Sequence, residues 1–230
     1  MAFLERFFEN PFDEPSPVGH SNNSFETINQ QQLEAHMKIN KYDSFELTDA
    51  VRPAIDLKVK PVQGYRNDTY VDEATQARVP VVMAAASKST LFPLFMDLIQ
   101  RLGPVVDVVL ETSHEQTSHG HLDMYREHID LPVLTSILWQ FEELLTNDGC
   151  TGIAILNPKT PQEIQFDEHK LLIVYGSPLE HYEHVMECHG VTHNDQMHFI
   201  TEAEHIHSST DQYAEQFEDL RTRLGLDQSR

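Results

Sequence analysis

Two histidine pairs, each with members two residues apart, have the types and spacing best suited to chemistry in this chain. The pairs are His119 with His121 and His205 with His207. On an extended backbone, residues two apart project from the same face, so each pair can present two imidazoles to one ion. Imidazole is a common zinc ligand, and catalytic zinc sites combine three protein ligands with an open fourth position. The spacing is therefore compatible with a divalent metal site, such as a zinc site.

The first pair has two further candidate ligands in the same segment. Glu111 and His114 precede it, so a loop over 111–121 could supply a third ligand. If the two halves of the chain pack about a pseudo-twofold axis, both pairs would converge on one site. The opposing interpretation is that a chain with 14 histidines contains such pairs by chance on a solvated loop. That interpretation is favoured at this stage, and no cofactor is expected.

Motifs of the common nucleotide-binding and hydrolytic enzymes are missing from the sequence. Its nine glycines form neither GxGxxG nor GxxxxGK[ST], the loops whose backbone amides cradle phosphates. The sequence also lacks a GxSxG elbow, an HExxH helix and an EF-hand loop. A nucleotide-binding enzyme of the usual types is therefore not expected.

The composition narrows the classes of partner. The formal net charge of −21 disfavours nucleic acid and anionic membrane surfaces, and it favours a partner protein with a basic patch. Two cysteines form neither a disulfide framework nor a zinc-finger pattern, which fits a reducing cytoplasm. No apolar run approaches the ~20 residues of a transmembrane helix, so a soluble protein is expected. Assembly into a homo-oligomer is left open.

Two functional hypotheses follow from these observations. The first is a soluble, acidic, non-enzymatic protein that acts as a binding, adaptor or regulatory module in the cytoplasm. The alternative is a metal-dependent hydrolase that uses the His-rich loop over 111–121, with His205 and His207 as further ligands. Metal analysis of protein without a histidine tag separates the two hypotheses.

A weak internal repeat predicts the elements that position these residues. Apolar runs over 79–86 and 105–110 flank a helical stretch, and the second run ends at Glu111. Runs over 170–176 and 197–201 flank another helical stretch, and the second of these ends at Glu202. Each half thus reads as β-β-α-β-α, which predicts an α/β or α+β fold: a mixed sheet with helices, built from two pseudo-repeated units.

The same patterns predict the domain boundaries and the core. Residues 1–24 are expected to form a flexible tail, 25–149 the first α/β unit, and 150–230 a second unit packed with the first as one body. The predicted core comprises Val81, Val82, Leu94, Leu98, Val108, Leu138, Ile155, Ile173, Val185 and Phe199.

Overall fold

The structure of the protein is a computed structural model. It describes residues 24–25, 28–71, 76–117 and 120–226, with the backbone alone at 115–117, 120 and 121. The predicted tail over 1–24 therefore lies outside the described residues, except for Ser24. The Ser24 amide donates to Glu204 Oε2 at 3.0 Å.

Six helices and eleven strands are formed by the described residues. The helices are α1 (Gln30–Met37), α2 (Lys88–Ile99), α3 (Leu131–Leu138), α4 (Glu142–Asn147), α5 (Glu180–Cys188) and α6 (Asp211–Leu224). The strands are β1 (Lys41–Tyr42), β2 (Phe45–Glu46), β3 (Val51–Pro53), β4 (Gly64–Val71), β5 (Arg78–Ala85), β6 (Val105–Thr117), β7 (Gly120–Asp130), β8 (Thr151–Leu156), β9 (Glu163–Phe166), β10 (Leu171–Tyr175) and β11 (His205–His207).

A seven-stranded sheet in the order β4-β5-β10-β9-β8-β6-β7 organises the chain. The predicted α/β class is confirmed. Every neighbouring pair in this sheet is antiparallel, whereas the sequence also predicted parallel neighbours. Helix α2 connects β5 to β6. These two strands run in the same direction, but β10, β9 and β8 lie between them in the sheet. Strands from the second predicted unit thus separate strands of the first.

The main core lies between one face of this sheet and the helices. Phe95 of α2 packs edge-on against Phe166 of β9, with ring centres 5.2 Å apart. Each core residue predicted from the sequence is buried. Helix α2 is apolar on nearly every side because it is covered on several sides, by α4, by α5 and by the sheet. Within the described part of the chain, no helix is both long enough and apolar enough to cross a bilayer.

The second predicted strand–helix–strand unit ends differently from the first. The strand predicted over 197–201 is absent: this segment is irregular and leads into a 3₁₀ turn over Ile200–Glu202. Its alternating apolar residues, Met197 and Phe199, pack against the sheet face opposite the helices. The next strand, β11, pairs with β3 in a separate two-stranded sheet. The predicted equivalence of the two units is therefore wrong at the closing strand.

Candidate metal centre

Three histidines from two distant segments meet beside this small sheet. His205 and His207 are the ends of β11, and their spacing of two places both rings on one face of the strand. His169 comes from the turn between β9 and β10. The ring centres lie 4.9 Å apart for His169 and His205, 4.7 Å for His169 and His207, and 5.1 Å for the β11 pair. We call these residues the histidine triad.

The triad has the dimensions of a three-histidine zinc site. A ligand nitrogen on each of the three rings lies within 4.8 Å of the other two. Imidazoles bound to zinc at about 2.0–2.1 Å and at tetrahedral angles have ring centres roughly 5 Å apart. All three residues are only partly buried, so solvent reaches the triad. A small approach of the rings would therefore complete a metal centre with one open position.

Hydrogen bonds fix which nitrogen each ring can offer to a metal. Nδ1 of His205 lies 2.8 Å from the carbonyl oxygen of Ala203, and Nδ1 of His207 lies 2.6 Å from that of Gly149. Carbonyl oxygens only accept, so both Nδ1 atoms carry a proton and both Nε2 atoms keep a lone pair. Bonds of this kind to a carbonyl or carboxylate orient the histidine ligands of metal sites.

The third ring is oriented by a carboxylate. Nδ1 of His169 lies 3.0 Å from Oδ2 of Asp167, while Oδ1 of Asp167 accepts the backbone amide of Leu171 at 2.7 Å. Burial raises the pKa of Asp167, but the interactions with His169, Leu171 and Lys170 outweigh burial and lower it overall. The ionised carboxylate can only accept, so Nδ1 of His169 also carries a proton and Nε2 is left to bind.

Electrostatics favour the neutral form of the β11 pair. Burial lowers the pKa of His205 and of His207, and the neighbouring His169 lowers both further. Burial also lowers the pKa of His169, but Asp167 and Glu168 outweigh it, so that the pKa is raised overall. The surroundings therefore favour the neutral, metal-binding form at His205 and His207, whereas at His169 they favour the protonated form, which must lose its Nε2 proton to bind a metal ion.

A glycine allows the backbone to approach β11 closely. A Cβ atom at Gly149 would lie 2.4 Å from the carbonyl oxygen of Ala50 and 2.9 Å from the amide of Ser208. The Gly149 amide donates to the Ser208 carbonyl at 2.8 Å, directly after the triad residue His207. Only glycine fits between these backbones, and its carbonyl is the acceptor that orients His207.

A second group with metal-ligand atoms lies nearby and comprises His114, Asp148 and Cys150. In its histidine, Nδ1 is 2.7 Å from Thr112 Oγ1, and Nε2 is 3.0 Å from Asp148 Oδ2 without the geometry of a hydrogen bond. Burial raises the pKa of the Cys150 thiol, which disfavours the thiolate that binds metal. The group is compatible with a metal ion, but the triad offers the better arrangement because its three Nε2 atoms keep their lone pairs.

The sequence-predicted ligands separate into different places. His205 and His207 are in the triad, whereas His119 and the side chain of His121 lie outside the described residues. The predicted loop over 111–121 is wrong, because β6 continues to Thr117 and forms a long hairpin with β7. His114 therefore lies on a strand, in the second group.

Glu111 takes no part in either group of metal-ligand atoms. It is paired with Gly152 of β8 in the main sheet, and burial together with neighbouring carboxylates raises its pKa to about 8. A carboxyl group held in its protonated form at neutral pH is a poor metal ligand. The position of Glu111 after an apolar run therefore indicated a strand of the main sheet and not a metal ligand.

The sequence analysis missed His169. Its signal is the segment Asp167-Glu168-His169 in a tight turn between two apolar runs, where an acid two residues before a histidine can orient the ring. No spacing rule connects this turn with β11, which follows 36 residues later. Long-range contacts bring the two segments together: β11 pairs with β3, and the Gly149 amide donates to the Ser208 carbonyl just after β11.

Comparisons with known proteins do not supply a family for this chain. No family model matches it, and neither the curated proteins nor the solved structures contain a significant match. The function is therefore argued from the triad itself.

Proposed function

We propose that this protein is a zinc-dependent hydrolase whose metal ion is bound by His169, His205 and His207. One observation carries the proposal: each Nδ1 atom faces a hydrogen-bond acceptor, so the Nε2 atom of each ring keeps the lone pair with which it can bind a metal ion. Neutral imidazoles suit zinc among the common divalent ions, and three of them leave one tetrahedral position for water.

The open position supports hydrolysis as the reaction class. Zinc with three histidine ligands lowers the pKa of its bound water to about 7, which yields a hydroxide nucleophile at neutral pH. His169, His205 and His207 would hold the ion, and the ion would supply such a nucleophile for the hydrolysis of a carbonyl compound, with water providing the proton that the leaving group takes up. The partial exposure of the triad supports access of a substrate to that position.

The decisive experiment measures metal in untagged protein. We expect about one zinc ion per chain, and we expect the paired variant His205→Ala/His207→Ala and the single variant His169→Ala to lose it. Cobalt substitution should give the visible absorption of a tetrahedral ion. Hydrolysis of p-nitrophenyl acetate should require zinc and should be lost in the same variants.

Two control variants separate this site from the alternatives. His181→Ala, an exposed histidine on α5, should keep its zinc. His119→Ala/His121→Ala should also keep its zinc. Loss of zinc in this variant would show that His119 and His121 bind the metal ion instead of the triad. Protein that binds no zinc under any of these conditions would overturn the hydrolase proposal in favour of the non-enzymatic binding or adaptor role.

A further inference from the structure

A largely apolar pocket adjoins the triad. Phe45, Leu47, Val51, Phe199 and Ile200 contribute to its walls. The ammonium group of Lys170, which also lines the pocket, donates to the carbonyl of Thr151 at 2.8 Å. The space is therefore suited to an apolar group, since most of the side chains that line it are apolar.

The pocket and the triad are adjacent and are formed in part by the same residues. His169 is a triad residue and also lines the pocket. Val51 lines the pocket on β3 and is paired with His207 in the two-stranded sheet. An apolar group in the pocket therefore lies next to the ring that would hold the metal ion.

The charge of the protein bears on which compounds would enter. The formal net charge is −21, and Asp167 and Glu168 lie beside the triad. The net charge of the whole chain disfavours the approach of anionic substrates from solution and has little effect on neutral ones. A neutral carbonyl compound with an apolar chain fits all three features: its carbonyl group can face the metal ion, its chain fits the apolar pocket, and it is not repelled by the negative charge of the protein.

We propose that the substrates are neutral acyl compounds, such as esters, whose unbranched apolar acyl chain lies in this pocket while the carbonyl faces the ion. The proposal rests on the zinc centre proposed above. It assigns chain-length specificity to the pocket formed by β2, β3 and the 3₁₀ turn over Ile200–Glu202.

The test uses hydroxamic acids of two, four, six and eight carbons as zinc-binding probes, which are neutral in solution at pH 7 and release a proton when they bind zinc. Their dissociation constants from zinc-loaded full-length protein are measured by calorimetry. We expect binding to tighten roughly two- to fourfold for each methylene that enters the pocket. Esters of the same acyl chains should show the same order in kcat/KM.

Two variants, the first of which has a matched control, locate the chain-length effect in the pocket. Val62 lines the pocket and is 38% exposed, and Val71 is equally exposed but does not line it. Val62→Asp should weaken binding of the six-carbon probe about tenfold and leave the two-carbon probe unchanged, because only the longer chain meets the new charge. Val71→Asp should change neither. Ala85→Leu, which narrows the pocket, should shift the preference to shorter chains.

The outcomes distinguish this inference from the zinc proposal. Stoichiometric zinc with no dependence on chain length would overturn the acyl pocket and leave the metal centre standing. Chain-dependent binding that is equally strong in zinc-free protein would also overturn the inference, because the pocket would then act apart from the ion. Absence of zinc would overturn both.

Discussion

At the scale of single residues, Asp167 is the side chain on which the triad depends most. Its two oxygens accept from different donors, the ring of His169 and the backbone amide of Leu171. The first bond orients a metal ligand, and the second holds the turn between β9 and β10. Asp167 is a positioning residue, since it contacts the ligand and not the ion.

Asp167→Asn should weaken zinc binding by about 10- to 100-fold. Asparagine has one acceptor oxygen, so either the ring or the amide loses its partner, and the negative charge behind the ligand is also lost. The measurement is competition for zinc with a chelator of known affinity, together with the melting temperature of the metal-free variant.

The matched control is Asp195→Asn. Asp195 lies 2.9 Å from His193 in an exposed pair that includes no triad residue. This variant should bind zinc as the unaltered protein does. Zinc affinity within twofold of the unaltered protein for Asp167→Asn would show that Asp167 does not position His169.

At the scale of elements, β11 is too short to be stable alone, and backbone hydrogen bonds to neighbouring segments hold it in position. Its three residues pair with β3, and the segment after it exchanges backbone hydrogen bonds with Ala50 and Gly149. The close approach at Gly149 links the end of α4 and the start of β8 to the triad. The geometry of the metal centre is therefore set by backbone packing as well as by the side chains.

Gly149→Ala should both destabilise the protein and weaken zinc binding. The added methyl group would meet backbone oxygen at 2.4 Å, so the segment must shift, at a cost of roughly 1–3 kcal/mol in the free energy of unfolding. Because the Gly149 carbonyl orients His207, the shift should also lower zinc affinity. Urea denaturation and chelator competition measure the two effects.

The control is Gly190→Asn, at a glycine with a left-handed conformation where only the end of the Gln63 side chain lies within 4 Å of an added Cβ atom. Asparagine tolerates this conformation. This variant should keep its zinc affinity. Unchanged affinity in Gly149→Ala would mean that β11 is held without the Gly149 contact.

At the scale of the whole molecule, buried carboxyl groups make stability depend on pH. Glu163 on β9 is buried, and burial raises its pKa to about 7, although Gln165 donates to it at 2.6 Å and opposes the shift. It faces Tyr175 across the sheet, and the charges of Glu163 and Glu111 interact. The folded state therefore retains protons that the unfolded chain releases from about pH 4.5 upwards.

The sign of the effect follows from these pKa values. Between about pH 4.5 and 7 the folded state binds more protons at Glu163 than the unfolded state does, so stability falls as the pH rises. Glu163→Gln removes this titration. The variant should gain roughly 1–3 kcal/mol over the unaltered protein between pH 5 and pH 8.

Melting temperatures at pH 5 and pH 8, measured without metal, test the expectation. Glu215→Gln, at an exposed position on α6, is the control and should follow the unaltered protein at both values. A difference between Glu163→Gln and the unaltered protein that is the same at both pH values would contradict a raised pKa at Glu163.

Local patterns in the sequence determined the class of fold and much of the core. Helix α6 shows one such local pattern, an N-terminal cap in which the Tyr213 amide donates to Oγ1 of Thr210 at 3.3 Å. Helix α5 lacks such a cap: its N-cap residue is Leu179, which makes no side-chain hydrogen bond to the helix. Apolar periodicity and capping act over a few residues, so they can be read from the chain wherever tertiary contacts do not override them.

Which strands are neighbours, and which histidines meet, was decided by the tertiary structure alone. The spacing of His205 and His207 was readable because two residues on a strand share a face. The third member of the triad, His169, could not be predicted from the sequence, because its proximity to β11 depends on the order of strands and on the pairing of β11 with β3. These are long-range contacts, and their energies depend on burial and backbone pairing between segments that no local pattern connects.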